Sequence, residues 1–367
     1  VLADYDNELT LCTYCPSLCL HTCPVSTVDG NDAVSPWGKM SLANHARLGH
    51  VPLDEGVAAK FYKCLGCGGC RQWCVHSNDV ADTLFSARRE AVAAGAAPFD
   101  RTLFHHDDHP LDGAVFDGAR KMSRFVPKPD TLLMPGLRTL EDAPEAALDL
   151  LELCGSLEYD LLAVGEASRL DVGYDLWAGG YQRAFEDRAR RVQAALARCK
   201  QVVVVSPESL YCLREVYPRY GFDLQASLVS VPEFVLPLLS GAVIERMDMK
   251  VAYHDSCHLV RQLGVPADRP REILQRVLLS GPLDLVKHGE ETVCCGGTGC
   301  LPLTSPETSR GAALDVLDQA LEVGAEVLTS FSPECVALMR SVAEEQGLAL
   351  TVEHGVSLVN RALRGTP

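Results

Sequence analysis

Eight cysteines near the start of the chain limit its possible folds more than any other feature. They form two runs, Cys12-x2-Cys15-x3-Cys19-x3-Cys23-Pro24 and Cys64-x2-Cys67-x2-Cys70-x3-Cys74. A cubane iron–sulfur cluster needs four thiolates converging on a body only a few ångströms across. One tight loop supplies three, and the start of a helix in a paired motif supplies the fourth. Glycines in the second run (CLGCGGC) let the backbone wrap closely and aim N–H groups at sulfur. Paired CxxC also suits tetrahedral zinc, but zinc ribbons set two knuckles across a gap, whereas here each set of four is packed into one short stretch. Spacing this tight is also wrong for a disulfide framework.

Composition narrows the class. The 367 residues include 16 cysteines, and 33 Lys and Arg against 49 Asp and Glu give a net charge of −16. That balance argues against nucleic-acid binding and against an anionic membrane surface. The opening Val1–Thr10 is polar and acidic, so no secretory leader is expected. No transmembrane segment is expected either, since the most apolar stretch, Leu228–Val243, carries Glu233 and two prolines. Cysteine usage of this kind fits metal ligation in a reducing compartment, hence a cytoplasmic chain, peripheral to a membrane only through a partner.

Three regions separate. Residues 1–97 hold the two cysteine runs, and residues 98–130, rich in His, Asp and Pro, read as a linker. Beyond them, short β-rich runs alternate with helical ones, which predicts parallel sheets covered by helices. The strands are expected at Thr131–Met134, Tyr159–Val164, Gln201–Val205, Lys250–Tyr253, Glu326–Thr329 and Leu348–Val352. Helices are expected at Trp177–Lys200, Glu208–Tyr217, Pro306–Val323 and Pro333–Gln346. The region also repeats: SPESLYCLREVYP at 206–218 aligns with SPECVALMRSVAE at 332–344, LAVGEAS at 162–168 with ETVCCGG at 291–297, and MPGL at 134–137 with HDSC at 254–257. This predicts two copies of one α/β unit, 131–245 and 246–367.

The N-terminal runs resemble the two-cluster ferredoxin-type domain in the helical form found in iron–sulfur subunits of oxidoreductases. The resemblance implies one [4Fe–4S] cluster on Cys12, Cys15, Cys19 and Cys74, and a second on Cys64, Cys67, Cys70 and Cys23. The chain departs from the pattern in the three-residue spacer after Cys15 and in Val75, where the family usually has proline.

A third set lies in His254-Asp255-Ser256-Cys257-His258, in Cys294-Cys295-Gly296-Gly297 and in Ser332-Pro333-Glu334-Cys335. It resembles the CCG domain of heterodisulfide-reductase B/D-type subunits and of the iron–sulfur subunits of glycolate oxidase and D-lactate utilisation systems. The implied fold is a mainly α ferredoxin-type domain followed by a duplicated α/β CCG domain. The implied ligands of a third cluster are Cys257, Cys294, Cys295 and Cys335. The further cysteine of the full motif is replaced by Leu338, which favours a cubane over a non-cubane cluster. In the first copy, Leu137, Gly165, Glu166 and Ser209 occupy the ligand positions, so that copy holds no cluster. His254 and His258 flank Cys257 as candidate tuning residues. Cys154, Cys199 and Cys212 read as small core residues and Cys300 as a bystander.

No GxGxxG or P-loop appears, so no nucleotide or flavin site is expected on this chain. The expected function is therefore electron transfer within a multi-subunit oxidoreductase. Three clusters would relay electrons between a flavin-containing or other dehydrogenase subunit and an acceptor: a quinone, a ferredoxin or a further redox subunit. The alternative is catalysis at the C-terminal cluster, reducing a disulfide, a heterodisulfide or a quinone.

Overall fold

The computed structural model describes residues 2–365; Val1 and residues 366–367, at the ends of the first and last regions defined above, lie outside the described residues. The chain divides into two compact units. The first comprises residues 1–106, 173–185 and 290–316; the second comprises residues 107–172, 186–289 and 317–367.

The first unit is built of helices. Its main ones are Asp6–Thr13, Pro24–Asp29, Pro36–Arg47, Glu55–Tyr62 and Val80–Ala93. Side-chain caps fix several starts. Ser35 Oγ accepts from Gly38 N at 3.0 Å ahead of Pro36, Asp54 accepts from Val57 N at 2.9 Å, and Asp79 accepts from Asp82 N at 3.0 Å. Leu9, Met40, Ala43, Phe61, Leu84 and Ala87 form the core between these helices. The break in the expected helix Trp177–Lys200 also belongs here. The helix Tyr174–Ala178 ends at Gly179-Gly180 before Gln182–Leu196 begins. Gly180 has φ +89°, and a Cβ there would lie 2.7 Å from the Arg88 carbonyl carbon, so the glycine pair serves a close backbone approach.

The second unit carries two four-stranded parallel sheets. The strands are β1 (Thr131–Met134), β2 (Leu162–Ala163), β3 (Gln201–Val204), β4 (Ser227–Ser230), β5 (Val251–Tyr253), β6 (Leu283–Asp284), β7 (Val327–Ser330) and β8 (Thr351–His354). The orders are β2-β1-β3-β4 and β6-β5-β7-β8. Strands β4 and β6 were not expected; both lie at sheet edges, and β6 pairs through only two residues. A buried core that includes Leu133, Val203, Val235, Ile273, Val327 and Val359 joins the layers. Both third strands lead into a Ser-Pro-Glu helix start. Ser206 Oγ accepts from Ser209 N at 3.2 Å, and Ser332 Oγ accepts from Cys335 N at 3.4 Å. Within residues 98–130, Ala114–Lys121 forms a helix that buries Val115, Phe116 and Ala119. Among the described residues no helix is long and apolar enough to cross a membrane.

The last helix, Gly355–Arg364, is capped by His354, whose Nδ1 accepts from Val356 N at 3.4 Å. Burial pushes the imidazole pKa down to about 4, below the ~6.5 of an unfolded chain. The unfolded state therefore takes up the proton first. The contribution to stability is complete above about pH 6.5 and falls as the pH drops towards 4, with roughly 2 kcal/mol gone at pH 5. Melting curves of the native chain and of His354→Asn, which keeps a capping oxygen, should show a steeper Tm loss between pH 7 and 5 for the native chain. Parallel slopes would mean that His354 does not carry this dependence.

Candidate metal centres

The first helix, Asp6–Thr13, and the turn after it bring Cys12, Cys15 and Cys19 onto one wall of a cavity of about 400 Å³, and Cys74 lies on the same cavity. Ser17, in the three-residue spacer, takes the left-handed φ of +57° that turns this loop. Asn78 Nδ2 donates to Cys12 Sγ at 3.3 Å and to the Glu8 carbonyl at 3.2 Å. Burial is the main cause that pushes the Cys12 thiol up and the Cys19 thiol to about 11, with neighbouring thiols adding to it. A cation seated among such buried thiols favours their thiolate forms, which is the role iron fills. The rim is apolar and open: Tyr14 and Val75 are each 83% exposed, and Leu18 and Trp73 are also exposed.

A second cavity is lined by Cys23, Cys64, Cys67 and Cys70, with Lys39. Cys70 lines the first cavity as well. The glycines of CLGCGGC take left-handed backbone here, Gly66 at φ +69° and Gly68 at +71°, and Gly66 N donates to Cys64 Sγ at 3.5 Å. Burial pushes the Cys64 thiol up, and Lys39 and Arg88 pull it the other way. The Cys70 thiol is raised well above its ordinary value by burial and by Cys67, Cys64, Cys19 and Cys23. The donor set of both cavities, soft sulfur crowded around one space, fits a cubane cluster.

Sequence reasoning missed Arg88. It lies on Val80–Ala93 with no exposed surface. Its guanidinium donates to the carbonyls of Phe61 (3.1 and 2.8 Å), Cys64 (2.6 Å), Ala178 (2.8 Å) and Gly299 (3.3 Å). It also lies over the rings of Phe85 and Tyr62, at 4.4 and 4.9 Å from their centroids. The signal was present in the helical spacing: Arg88 falls between Leu84 and Ala91, both buried, while its neighbour Arg89 does not.

The segment carrying Cys294 and Cys295, both buried, is part of this first unit. Gly296, at φ +91°, turns the chain where a Cβ would lie 2.4 Å from the Ser309 carbonyl oxygen. Gly299 packs so closely on the Cys64–Cys67 loop that a Cβ would meet the Leu65 carbonyl oxygen at 2.2 Å. Cys300 Sγ faces the Asp175 carbonyl at 3.7 Å. Lys63 Nζ donates to Thr308 Oγ1 at 2.8 Å and pairs with Asp29 at 3.0 Å, pinning the following helix.

In the second unit, Cys257 follows β5 and precedes a π-turn, His258–Gln262, a feature frequent at functional sites. Cys335 is the third residue of the helix Pro333–Glu345. His258 Nδ1 lies 3.7 Å from Cys257 Sγ. A ring nitrogen of His254 lies within 4.8 Å of Cys335 Sγ. His254 is buried, and neither of its ring nitrogens has a hydrogen-bond partner among the described residues. Such an orphaned buried imidazole next to a thiol fits a group bound there. Asp255, fully buried, takes a bidentate pair from Arg271 at 2.7 Å and a bond from Gly289 N at 2.7 Å, which fixes the turn carrying Cys257. Leu137, Gly165, Glu166 and Ser209, which follow β1, β2 and β3, supply no thiol.

Two family models match the stretches that carry these cysteines. A family model described as a 4Fe-4S dicluster domain matches residues 8–78, and one described as a cysteine-rich domain, CCG, matches residues 251–340. The chain is 23% identical to a fumarate reductase (CoM/CoB) subunit of Methanothermobacter marburgensis, over 94% of this chain and 71% of that protein. It is 24% identical to a dihydromethanophenazine:CoB–CoM heterodisulfide reductase subunit of Methanosarcina mazei, over 97% of this chain and 94% of that protein. It is also 24% identical to lactate utilization protein A of Oceanobacillus iheyensis, over 61% of this chain and 92% of that protein.

The contact at Gly299 yields a test. Gly299→Ala adds a methyl against the Leu65 carbonyl on a left-handed backbone (φ +67°); overpacking of this kind costs ~1–3 kcal/mol. Gly324→Ala carries the same backbone strain (φ +73°) with open space around the new methyl. Iron bound per purified chain should fall in Gly299→Ala and stay at the native level in Gly324→Ala. Equal iron in the two variants would mean that the Cys294–Cys300 segment can move off the Cys64–Cys67 loop at no cost to the clusters.

Proposed function

For an iron–sulfur chain that joins a 4Fe-4S dicluster domain to a CCG domain, we propose the role of an electron-transfer subunit of a multi-subunit oxidoreductase. Three [4Fe–4S] clusters supply one-electron carriers along the chain. Cys12, Cys15, Cys19 and Cys74 hold the first, Cys64, Cys67, Cys70 and Cys23 the second, and Cys257, Cys294, Cys295 and Cys335 the third. A flavin-type dehydrogenase subunit stands at one end of this relay, and a quinone or another redox acceptor at the other. The chain's own residues fix the stations, while substrate chemistry resides in the partner. Residues 131–245 are a degenerate copy of the CCG unit at 246–367, kept for packing or docking after its thiols were lost; the repeated sequence and the shared strand order support this.

The observation that carries the reading is the packing of the Cys294–Cys300 segment against the Cys64–Cys67 loop in one unit. Backbone contact between a CCG cysteine segment and a dicluster loop is what a relay needs and what independent structural metals do not.

The test uses the chain with its native partner. Cys335→Ser should stop reduction of the natural acceptor, measured at steady state, while stopped-flow spectra still show the partner's cofactor being reduced by substrate at the native rate. Anaerobic analysis of the native chain should give roughly 12 iron. If the purified chain alone reduced disulfides or quinones at enzyme-like rates, and Cys335→Ser abolished this, the site would be catalytic and the relay reading would fall.

A further inference from the structure

Arg88 and Lys39 share an unusual situation. Lys39 is 2% exposed, and its Nζ has one hydrogen-bond partner among the described residues, the Lys63 carbonyl at 3.2 Å. Arg88 is fully buried and meets carbonyls and ring faces. Neither forms an ion pair with a carboxylate among the described residues, in a chain with far more acids than bases. A buried cation without a counter-charge costs several kcal/mol. Lys39 lines the cavity of Cys23, Cys64, Cys67 and Cys70, and Arg88 is bonded to the carbonyl of Cys64 itself. An iron–sulfur core held by four thiolates is anionic in both oxidation states, so the counter-charge is the second cluster. The first cavity has no lysine or arginine in its lining and opens to solvent.

We propose that Lys39 and Arg88 are potential-setting residues that place the second cluster above the first, so that the second is reduced first and holds the electron. The inference rests on the cluster assignment proposed above. Reduction adds negative charge, and a cation at close range in a low dielectric favours the reduced form. Both charges act on the second site, whereas the first cavity, lined by His76 but by no lysine or arginine among the described residues, has the neutral Asn78 amide donating to Cys12. The backbone donor Gly66 N adds in the same sense.

The experiment is an EPR-monitored redox titration of the reconstituted full chain with dithionite as reductant. Cys15→Ser and Cys67→Ser assign the two N-terminal signals. In the native chain the signal of higher midpoint should be the one altered by Cys67→Ser. Lys39→Gln should move that midpoint to more negative potential and leave the Cys15-dependent signal in place. Arg88→Lys, which keeps the charge but not the five hydrogen bonds, should hold the midpoint even if the chain is less stable. The proposal is overturned if Cys15→Ser alters the higher-potential signal, a result that does not depend on the Lys39 variant folding. It is also overturned if Lys39→Gln leaves both midpoints unchanged. Absence of any signal sensitive to Cys67→Ser, with iron low in the native chain, would instead remove the cluster assignment underneath.

Discussion

The guanidinium of Arg88 ties together parts of the chain that sequence keeps far apart. Its bonds to Phe61 and Cys64 hold the loop of the second cysteine run, its bond to Ala178 holds the segment at 173–185, and its bond to Gly299 holds the CCG segment. Hydrogen bonds from a charged donor to buried carbonyls are about twice as strong as neutral ones. They also satisfy carbonyls of loops that have no regular partner. Two glycines, Gly180 and Gly299, allow close backbone approaches beside the segments it bonds. Around this centre the unit is a scaffold for thiols.

Those thiols are held at the joints of a helical unit. Of the eight N-terminal cysteines, Cys12 lies in the first helix and the other seven in loops, turns or a helix start. One apolar cluster gathers around Met40, Phe61 and Leu84, and the rings of Phe85 and Trp177 pack edge to face elsewhere in the unit. A small unit with limited core gains stability from metal ligation. Burial raises the Cys19 and Cys70 thiols, so a cation among them is what favours the thiolate that binds it.

Much of this was legible in the sequence, because ligand spacing is a local signal. The two cysteine runs, the strands other than β4 and β6, and the Ser-Pro-Glu helix starts could be read from neighbouring residues. What escaped was set by distance. The edge strand Ser227–Ser230 is half exposed and reads as the approach to the helix that follows, and Leu283–Asp284 is defined only by its partner β5. The helix Ala114–Lys121 owes its position to the buried Val115, Phe116 and Ala119 within a polar stretch. Helical spacing alone puts Arg88 on the buried face, but the carbonyls that receive it at Ala178 and Gly299 come from segments far along the chain. The use of Gly179-Gly180 as a close-approach point depends on a helix some ninety residues earlier.

The bond from Lys63 to Thr308 spans 245 residues, and that from Arg88 to Gly299 spans 211. Contacts of such long sequence separation form late, because the intervening chain must be closed into a loop before they gain anything. A ribosome making this chain releases both cysteine runs of the first unit long before residues 290–316 exist. The unit that will hold the first two clusters therefore waits, incomplete, until most of the second has been made. Only when the CCG segment arrives can Gly299 close on the loop at Leu65. The order in which the unit is completed follows the route the backbone takes.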